Sequence, residues 1–191
     1  DLLYYAHVDD RKTPMEESLA AFDSLVQSGK VRYLGASNFP SWRLAEARLT
    51  SAANGWQPYS CIQQRHTYLR PKPGASFAPQ LAATDELIDY CSTHRITLLA
   101  YSPLLGGAYV RDDKAIGNQY AGEDSSRRLE ALDAVAGEVG AGRNEVVLAW
   151  MMLQTPPVIP VTSASSVAQL AENLKAFEVS LSPEQIDRLS A

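Results

Sequence analysis

Five short apolar runs in this 191-residue chain each end in side chains that can hydrogen-bond. Residues 2–6 are followed by His7, 31–36 by Ser37 and Asn38, and 59–62 by Gln63 and Gln64. Residues 96–100 lead into Tyr101, Ser102 and Pro103, and the run 158–162 ends in Thr162 and Ser163. Imidazole, hydroxyl and amide groups at such places can orient a polar ligand. A strand that only fills a core has no use for them, because a polar group buried without a partner costs about 1–3 kcal/mol. Taken singly, each has a plain structural explanation: a helix cap, a turn, a core amide, a core ring. Their convergence is the signal. In a parallel α/β sheet the C-terminal strand ends share one face, and that face hosts the site.

The segments between the runs carry helix boundaries. Thr13-Pro14-Met15-Glu16 reads as a capping box with proline in the first turn, followed by Leu19, Phe22, Leu25 and Val26 at core spacing and Gly29 as the stop. Ser41 starts a second helix that ends at Asn54-Gly55, and 84–94 is a third, with Leu87, Ile88 and Cys91 on one face. Residues 126–139 and 144–153 form a helical pair broken by Gly140-Ala141-Gly142. Residues 165–177 are a further helix, and Ser182-Pro183-Glu184-Gln185 caps a last one. Continuous apolar strands alternating with helices predict an α/β fold with a parallel sheet covered on both faces. Residues 67–80 and 104–124 are long loops with Pro and Gly, and such lengths in a compact domain mark function or disorder. Their Tyr68, Phe77, Tyr109 and Tyr120 either line an apolar pocket or anchor the loops.

Composition narrows the classes. Net charge is −5 and 46% of residues are apolar, enough material for a core. Mild acidity without a basic cluster beyond Arg127-Arg128 argues against nucleic acid, and no apolar run approaches the ~20 residues that span a bilayer. The chain opens on Asp1 with no basic leader, so a cytoplasmic location is expected. Cys61 and Cys91 sit in apolar contexts and read as buried free thiols, and no metal site is expected. No linker interrupts the chain, so 1–191 reads as a single domain.

Two longer motifs carry a family resemblance. G-K-V-R-Y-L-G-A-S-N-F (29–39) and L-L-A-Y-S-P-L-L-G-G (98–107) resemble strand motifs of the aldo-keto reductases, and L-L-Y-Y-A-H-V-D (2–9) is similar to that family's fourth strand. The whole chain resembles the C-terminal two thirds of such an enzyme. The resemblance implies a (β/α)8 TIM-barrel fold, incomplete here, with strands four to eight and their helices present. It also implies reduction of aldehydes or ketones by hydride transfer from NAD(P)H. In its terms His7 is the catalytic-set residue that orients the carbonyl oxygen of a small-molecule substrate. Ser37, Asn38 and Gln63 match the residues that hold the nicotinamide carboxamide, with Gln63 favoured over Gln64 by its place after Ile62. Tyr101 matches the ring that stacks on the nicotinamide. Ser102, Leu104 and Gly106 match the pyrophosphate positions, and Ser163, Ser165, Gln169 and Asn173 the adenosine end. Relatives commonly place a Lys or Arg at that end for the 2′-phosphate, whereas these side chains are uncharged. NADP is the expected cofactor, with NAD as the alternative.

The family's carbonyl site also uses an Asp and a Tyr from a stretch like D-T-A-x-x-Y-G and a strand-ending Lys. Residues 1–191 contain no such stretch, so of that set only His7 is here. A (β/α)8 barrel typically takes ~250 residues. Five of eight strands would leave two open edges, so self-association through those edges is expected. The chain alone is expected to be inactive. The alternative reading is a non-catalytic cofactor-binding or regulatory module on the same fold.

Overall fold

The computed structural model describes residues 1–4 and 8–191. Among the described residues are five strands, β1 (Leu2–Tyr4), β2 (Tyr33–Ser37), β3 (Tyr59–Arg65), β4 (Thr97–Tyr101) and β5 (Val158–Val161). β1 pairs with β2, and β2 with β3, in parallel. Two compact units partition the chain: residues 1–65 with 77–99, and residues 66–76 with 100–191.

The first unit is a run of strand–helix repeats. Helix α1 (Met15–Gln27) follows β1, α2 (Ser41–Asn54) follows β2, and α3 (Asp85–His94) precedes β4. Leu19, Leu34, Ala36, Leu44, Ile62, Leu87 and Leu98 form its buried interior. The expected helix ends largely hold. Gly55 closes α2 in the left-handed conformation that glycine takes without a Cβ penalty, and Thr84 caps α3 by accepting from Leu87 N at 3.2 Å. The capping box expected at Thr13 does not form. The Thr13 hydroxyl donates instead to Asp10 Oδ2 at 2.8 Å, and Pro14 stands at the cap of α1 without a side-chain bond. Asp10 also accepts from Lys12 N, and these bonds hold its carboxyl below the usual carboxylate range.

Two further departures bear on function. β3 does not stop at Ile62 but runs through both glutamines to Arg65, because Ser37 continues to pair with Gln63. The β2–β3 ladder also shifts register once. Leu34 pairs with Tyr59 and Gly35 with Cys61, while the Ser60 hydroxyl between them donates to Leu34 O at 3.1 Å. After β1, the loop is pinned to α2 by an ion pair. Arg43 donates from Nε to Asp9 Oδ2 and from Nη2 to Asp9 Oδ1, both at 2.8 Å, and from Nη1 to Glu46 at 2.7 Å. Both side chains of the Asp9–Arg43 pair are largely buried, and the two carboxylates raise the Arg43 guanidinium above its ordinary value. Cys61 and Cys91 are buried thiols that form no disulfide with each other, and burial pushes the Cys91 thiol up to about 11.

The second unit is mainly helical: α4 (Glu123–Val139), α5 (Arg143–Met152), α6 (Val167–Leu174) and α7 (Pro183–Ser190), with β5 between α5 and α6. The capping box of α7 forms as expected between Ser182 and Gln185. α4 starts three residues before the expected Ser126, with Glu123 and Asp124 in its first turn, where acidic side chains suit the helix dipole. Among the described residues no helix is long and apolar enough to cross a membrane.

The loop tyrosines of this unit are anchors. Tyr68, Tyr109 and Tyr120 are buried. Tyr68 OH donates to Arg128 O at 2.7 Å, Arg128 Nε donates back to Tyr68 O at 2.9 Å, and Leu69 N donates to Tyr109 OH at 3.4 Å. The Arg128 guanidinium lies over the Tyr68 ring, 4.5 Å from its centroid, and Tyr68 meets Trp150 edge-on at 5.3 Å. Burial raises the Tyr68 phenol to about 12, and that of Tyr109 also rises, chiefly through burial. A phenol whose folded value exceeds its unfolded one holds its proton more tightly when folded. Its contribution to stability is therefore complete below the unfolded value, near 10, and is lost as pH climbs through about 12. In an alkaline titration the absorbance of these two phenolates is expected to appear only together with loss of native circular dichroism. Full ionisation of all nine tyrosines with an intact native spectrum would contradict it.

Candidate cofactor site

In the first unit the sequence-predicted residues form one hydrogen-bonded cluster. Ser37 ends β2, and its Oγ donates to Gln63 O at 3.0 Å. Asn38 follows at φ 58°, a left-handed position that asparagine tolerates better than most residues. That turn lets its backbone N donate to Gln63 O at 3.3 Å and its Nδ2 donate to Ser37 Oγ at 3.2 Å, while Oδ1 accepts from Leu81 N at 2.9 Å. Ser37 and Asn38 are buried and preorganised against β3. The structure also separates the two glutamines. Gln63 is half-buried beside Ser37, whereas Gln64 is 1% exposed and turns its Nε2 to Phe39 O at 3.4 Å. His7 lies outside the described residues.

In the second unit a pocket of about 390 Å³ gathers six of the predicted residues: Ser102, Leu104, Gly106, Ser163, Ser165 and Gln169. Two segments build it. The loop after β4 turns sharply, with Ser102, Leu105, Gly106 and Gly107 all at positive φ. Within the turn Leu105 N donates to Ser102 O at 3.1 Å and Gly107 N to Leu104 O at 2.8 Å. The segment after β5 is tied down by Gln169, whose Oε1 accepts from Ser165 N at 2.7 Å and from Ser165 Oγ at 3.1 Å. Ser166 Oγ in turn caps α6 by accepting from Gln169 N. Gln169 therefore spends its carbonyl internally and keeps its amino end as a donor.

Three more polar residues of the pocket have no counterpart among the sequence candidates: Arg111, Lys114 and Asn144. Lys114 Nζ donates to Gly106 O at 2.8 Å, and Arg111 pairs with Asp113, a contact that raises the guanidinium and lowers the carboxyl. A Cβ added at Gly106 would come within 3.1 Å of Lys114 Nζ, and one at Gly107 within 3.1 Å of Arg111 Cδ. The Gly106-Gly107 pair thus makes room for two cations at the pocket rim. The available sequence signal was that glycine pair followed by Arg111 and Lys114 inside a long loop. Asn144, second residue of α5, gave none. Its Oδ1 is sealed from solvent with no hydrogen-bond partner.

Of the predicted residues in this unit, Tyr101 and Asn173 do not line this pocket. Tyr101 ends β4, half-buried. Asn173 lies on α6 and is 7% exposed, and its Nδ2 has no partner. Hydroxyls, an amide and two cations around a glycine pair fit a ligand that combines polar groups and phosphate. A dinucleotide is such a ligand.

Parallel strands alternating with helices, with polar side chains at the strand ends, follow the general pattern of ligand-binding α/β folds. The comparisons make this specific. The model of the aldo/keto reductase family matches residues 1–191, and the chain belongs to that family. It is 29% identical over 198 residues to the uncharacterized oxidoreductase YrpG of Bacillus subtilis, covering 98% of this chain and 57% of that protein. With the versiconal hemiacetal acetate reductase of Aspergillus parasiticus it shares 27% identity over 197 residues, covering 96% of this chain and 54% of the relative. The crystal structure of the thermostable aldo-keto reductase Tm1743, in complex with the inhibitor epalrestat, superposes with a TM-score of 0.76 at 29% identity. That match covers 99% of this chain and 58% of Tm1743. The chain thus spans little more than half the length of these relatives.

Proposed function

We propose that this chain carries the cofactor-binding part of an NAD(P)H-dependent reductase of aldehydes or ketones, with NADPH the preferred nucleotide. The supporting observation is the second unit's pocket, where six residues of the expected phosphate and adenosine set meet Arg111 and Lys114. The uncharged end of β5 left a 2′-phosphate without a cation, and these two loop residues supply the charge. When bound, the nicotinamide would supply the hydride. Ser37, Asn38 and Gln63 would hold its carboxamide, and Tyr101 would pack on the ring. The hydroxyls of Ser102, Ser163 and Ser165, with the amino end of Gln169, would serve phosphate and ribose. Leu104 and Gly106 would bring backbone N–H groups to phosphate oxygens, and Asn173 would donate to the adenine. His7 would orient the carbonyl oxygen of the substrate. On this reading the five strands are strands four to eight of a (β/α)8 barrel, residues 1–191 are one partial domain, and the location is cytoplasmic.

The same reading carries self-association. α6 and the turn after it expose Val167, Leu170, Leu174 and Phe177, and β5 exposes Ile159 and Val161. An apolar stripe beside an exposed strand suits pairing with another barrel segment.

Titration with NADPH is expected to quench the fluorescence of Trp42, Trp56 and Trp150 saturably, and NADPH oxidation is then followed with a panel of aldehydes. Failure to bind either nicotinamide would defeat the proposal. The non-catalytic reading keeps one specific support, that residues 1–191 hold His7 but nothing like the Asp, Tyr and Lys of the carbonyl site. Cofactor binding without turnover by the whole protein, across the panel, would favour it.

A further inference from the structure

Residues 70–73 and 120–125 enclose another pocket of the second unit, of about 320 Å³, which shares no residue with the pocket of Ser102 and Ser163. Pro71, Pro73, Tyr120 and Ala121 give it an apolar wall. That wall is tied down. Lys72 N donates to Gln119 O at 2.8 Å, and Arg70 donates from Nη1 to Ala191 O at 3.3 Å and from Nη2 to Ser190 O. The proline rings on either side of Lys72 fix the backbone further. Some polar groups of the pocket are already used: Asp124 accepts from Arg70 at 3.5 Å and from Arg127 at 3.1 Å. Others are not. Lys72 Nζ meets a neutral acceptor, Asn118 Oδ1 at 3.2 Å, and among the described residues Glu123 has no ion-pair partner. Ser125, in the first turn of α4, is only 7% exposed, and among the described residues its Oγ makes no hydrogen bond. It is not sealed from solvent, so a ligand in the pocket it lines has a route to it. A hydroxyl that deep costs stability until a partner arrives. Gly122 caps α4 without a side-chain bond, so the first-turn N–H groups add donors beside it.

We infer that this pocket binds a small aliphatic ampholyte, an α-amino acid with an apolar side chain. Its carboxylate meets the Ser125 hydroxyl, the first-turn N–H groups of α4 and the Lys72 ammonium, at a helix end where negative charge is favoured. Its ammonium answers Glu123, and its side chain packs on Pro71, Pro73 and Tyr120. Neither charge suffices alone. A plain carboxylate faces the like charge of Glu123 without compensation, and a plain amine faces that of Lys72. The volume lies within the usual range for small-molecule sites. The loop residues 70–73 and 120–124, long stretches without periodicity in the sequence, thereby acquire a use. No residue of the nicotinamide or phosphate set takes part, so the inference stands apart from the cofactor reading.

The test is calorimetry on the purified protein with leucine, with 4-methylpentanoate, which lacks the amine, and with 3-methylbutylamine, which lacks the carboxylate. Leucine is expected to bind saturably and about tenfold more tightly than either analogue, the worth of one charge-assisted contact. Lys72→Gln is expected to weaken leucine and 4-methylpentanoate roughly tenfold and to spare the amine. Glu123→Gln is expected to weaken leucine and the amine and to spare 4-methylpentanoate. Ser125→Ala is expected to weaken both carboxylates about fivefold, as loss of one hydrogen bond does. Lys72 and Glu123 are exposed, so their variants should melt with wild type, and melting curves report whether Ser125→Ala is folded. No saturable heat from leucine, nor from valine or methionine in its place, overturns the inference. An analogue that binds as tightly as leucine also overturns it, by reducing the site to a plain anion or amine site. Unchanged leucine affinity in Lys72→Gln or in Ser125→Ala overturns it by placing the ligand elsewhere.

Discussion

Replacing Arg111 and Lys114 together by glutamine is expected to weaken NADPH binding roughly a hundredfold, at about tenfold for each charge-assisted hydrogen bond removed. NADH, which lacks the 2′-phosphate, is expected to lose tenfold or less. The reason lies in how the pocket distributes charge. The segment after β5 offers hydroxyls and an amide, whereas the loop after β4 brings both cations to the same cavity. Both are held by short contacts, Lys114 to Gly106 O and Arg111 to Asp113, and both are exposed, so their removal should leave the melting temperature unchanged. Raising salt should weaken NADPH binding by wild type and have less effect on the double variant, because solvent-facing charges are screened over about 10 Å at 0.1 M. Equal losses for the two nucleotides would place the cations at the pyrophosphate. No loss for either would remove them from the site.

The second large effect concerns stability. Asp9→Asn is expected to lower the unfolding free energy by about 3 kcal/mol, because it leaves the largely buried guanidinium of Arg43 without its bidentate partner. The same carboxylate also meets Arg11, whose side chain is 61% exposed, at 3.3 Å. Arg11→Ala is therefore expected to cost less than 1 kcal/mol, in the range of ~0–1 kcal/mol for exposed pairs. Urea denaturation of both variants makes the comparison. Similar midpoints for the two would show that the buried pair does not hold the loop. Asp9 stands two residues after His7 in sequence, so a measurable loss would place the restraint next to the expected substrate-orienting residue.

Much of this was legible in the sequence, and the misses have physical causes. Thr84, Gly55 and Ser182 mark helix ends because local hydrogen bonding decides them. Ser37 and Asn38 stood out because an apolar strand rarely ends in two hydrogen-bonding side chains without a use for them. The same habit of equating polarity with a strand end cut β3 short at Ile62. Its ladder continues through Gln63 because backbone pairing is indifferent to side-chain polarity. Thr13 had the spacing of a capping residue, but a nearer competitor, Asp10, took its hydroxyl. Arg111 and Lys114 escaped notice because exposed loop cations carry no periodicity. Only the folded backbone, with Gly106 and Gly107 beneath them, shows that they crowd one cavity. Tyr68 and Tyr109 could not be assigned from sequence, since a buried anchor and a pocket wall use the same side chain.

Gln63 is favoured over Gln64 by its place after Ile62, and the register that sets it opposite Ser37 is fixed upstream. Where β2 and β3 skip one partner at Ser60, every later residue of β3 is displaced by one place relative to β2. Straight counting from Tyr59 would set Ile62 opposite Ser37, and the amide would miss its neighbour. An alignment with a relative whose strands pair without that skip needs a single-residue gap here. Placed after Ile62, the gap would give the role to Ile62, which has no amide, in place of Gln63.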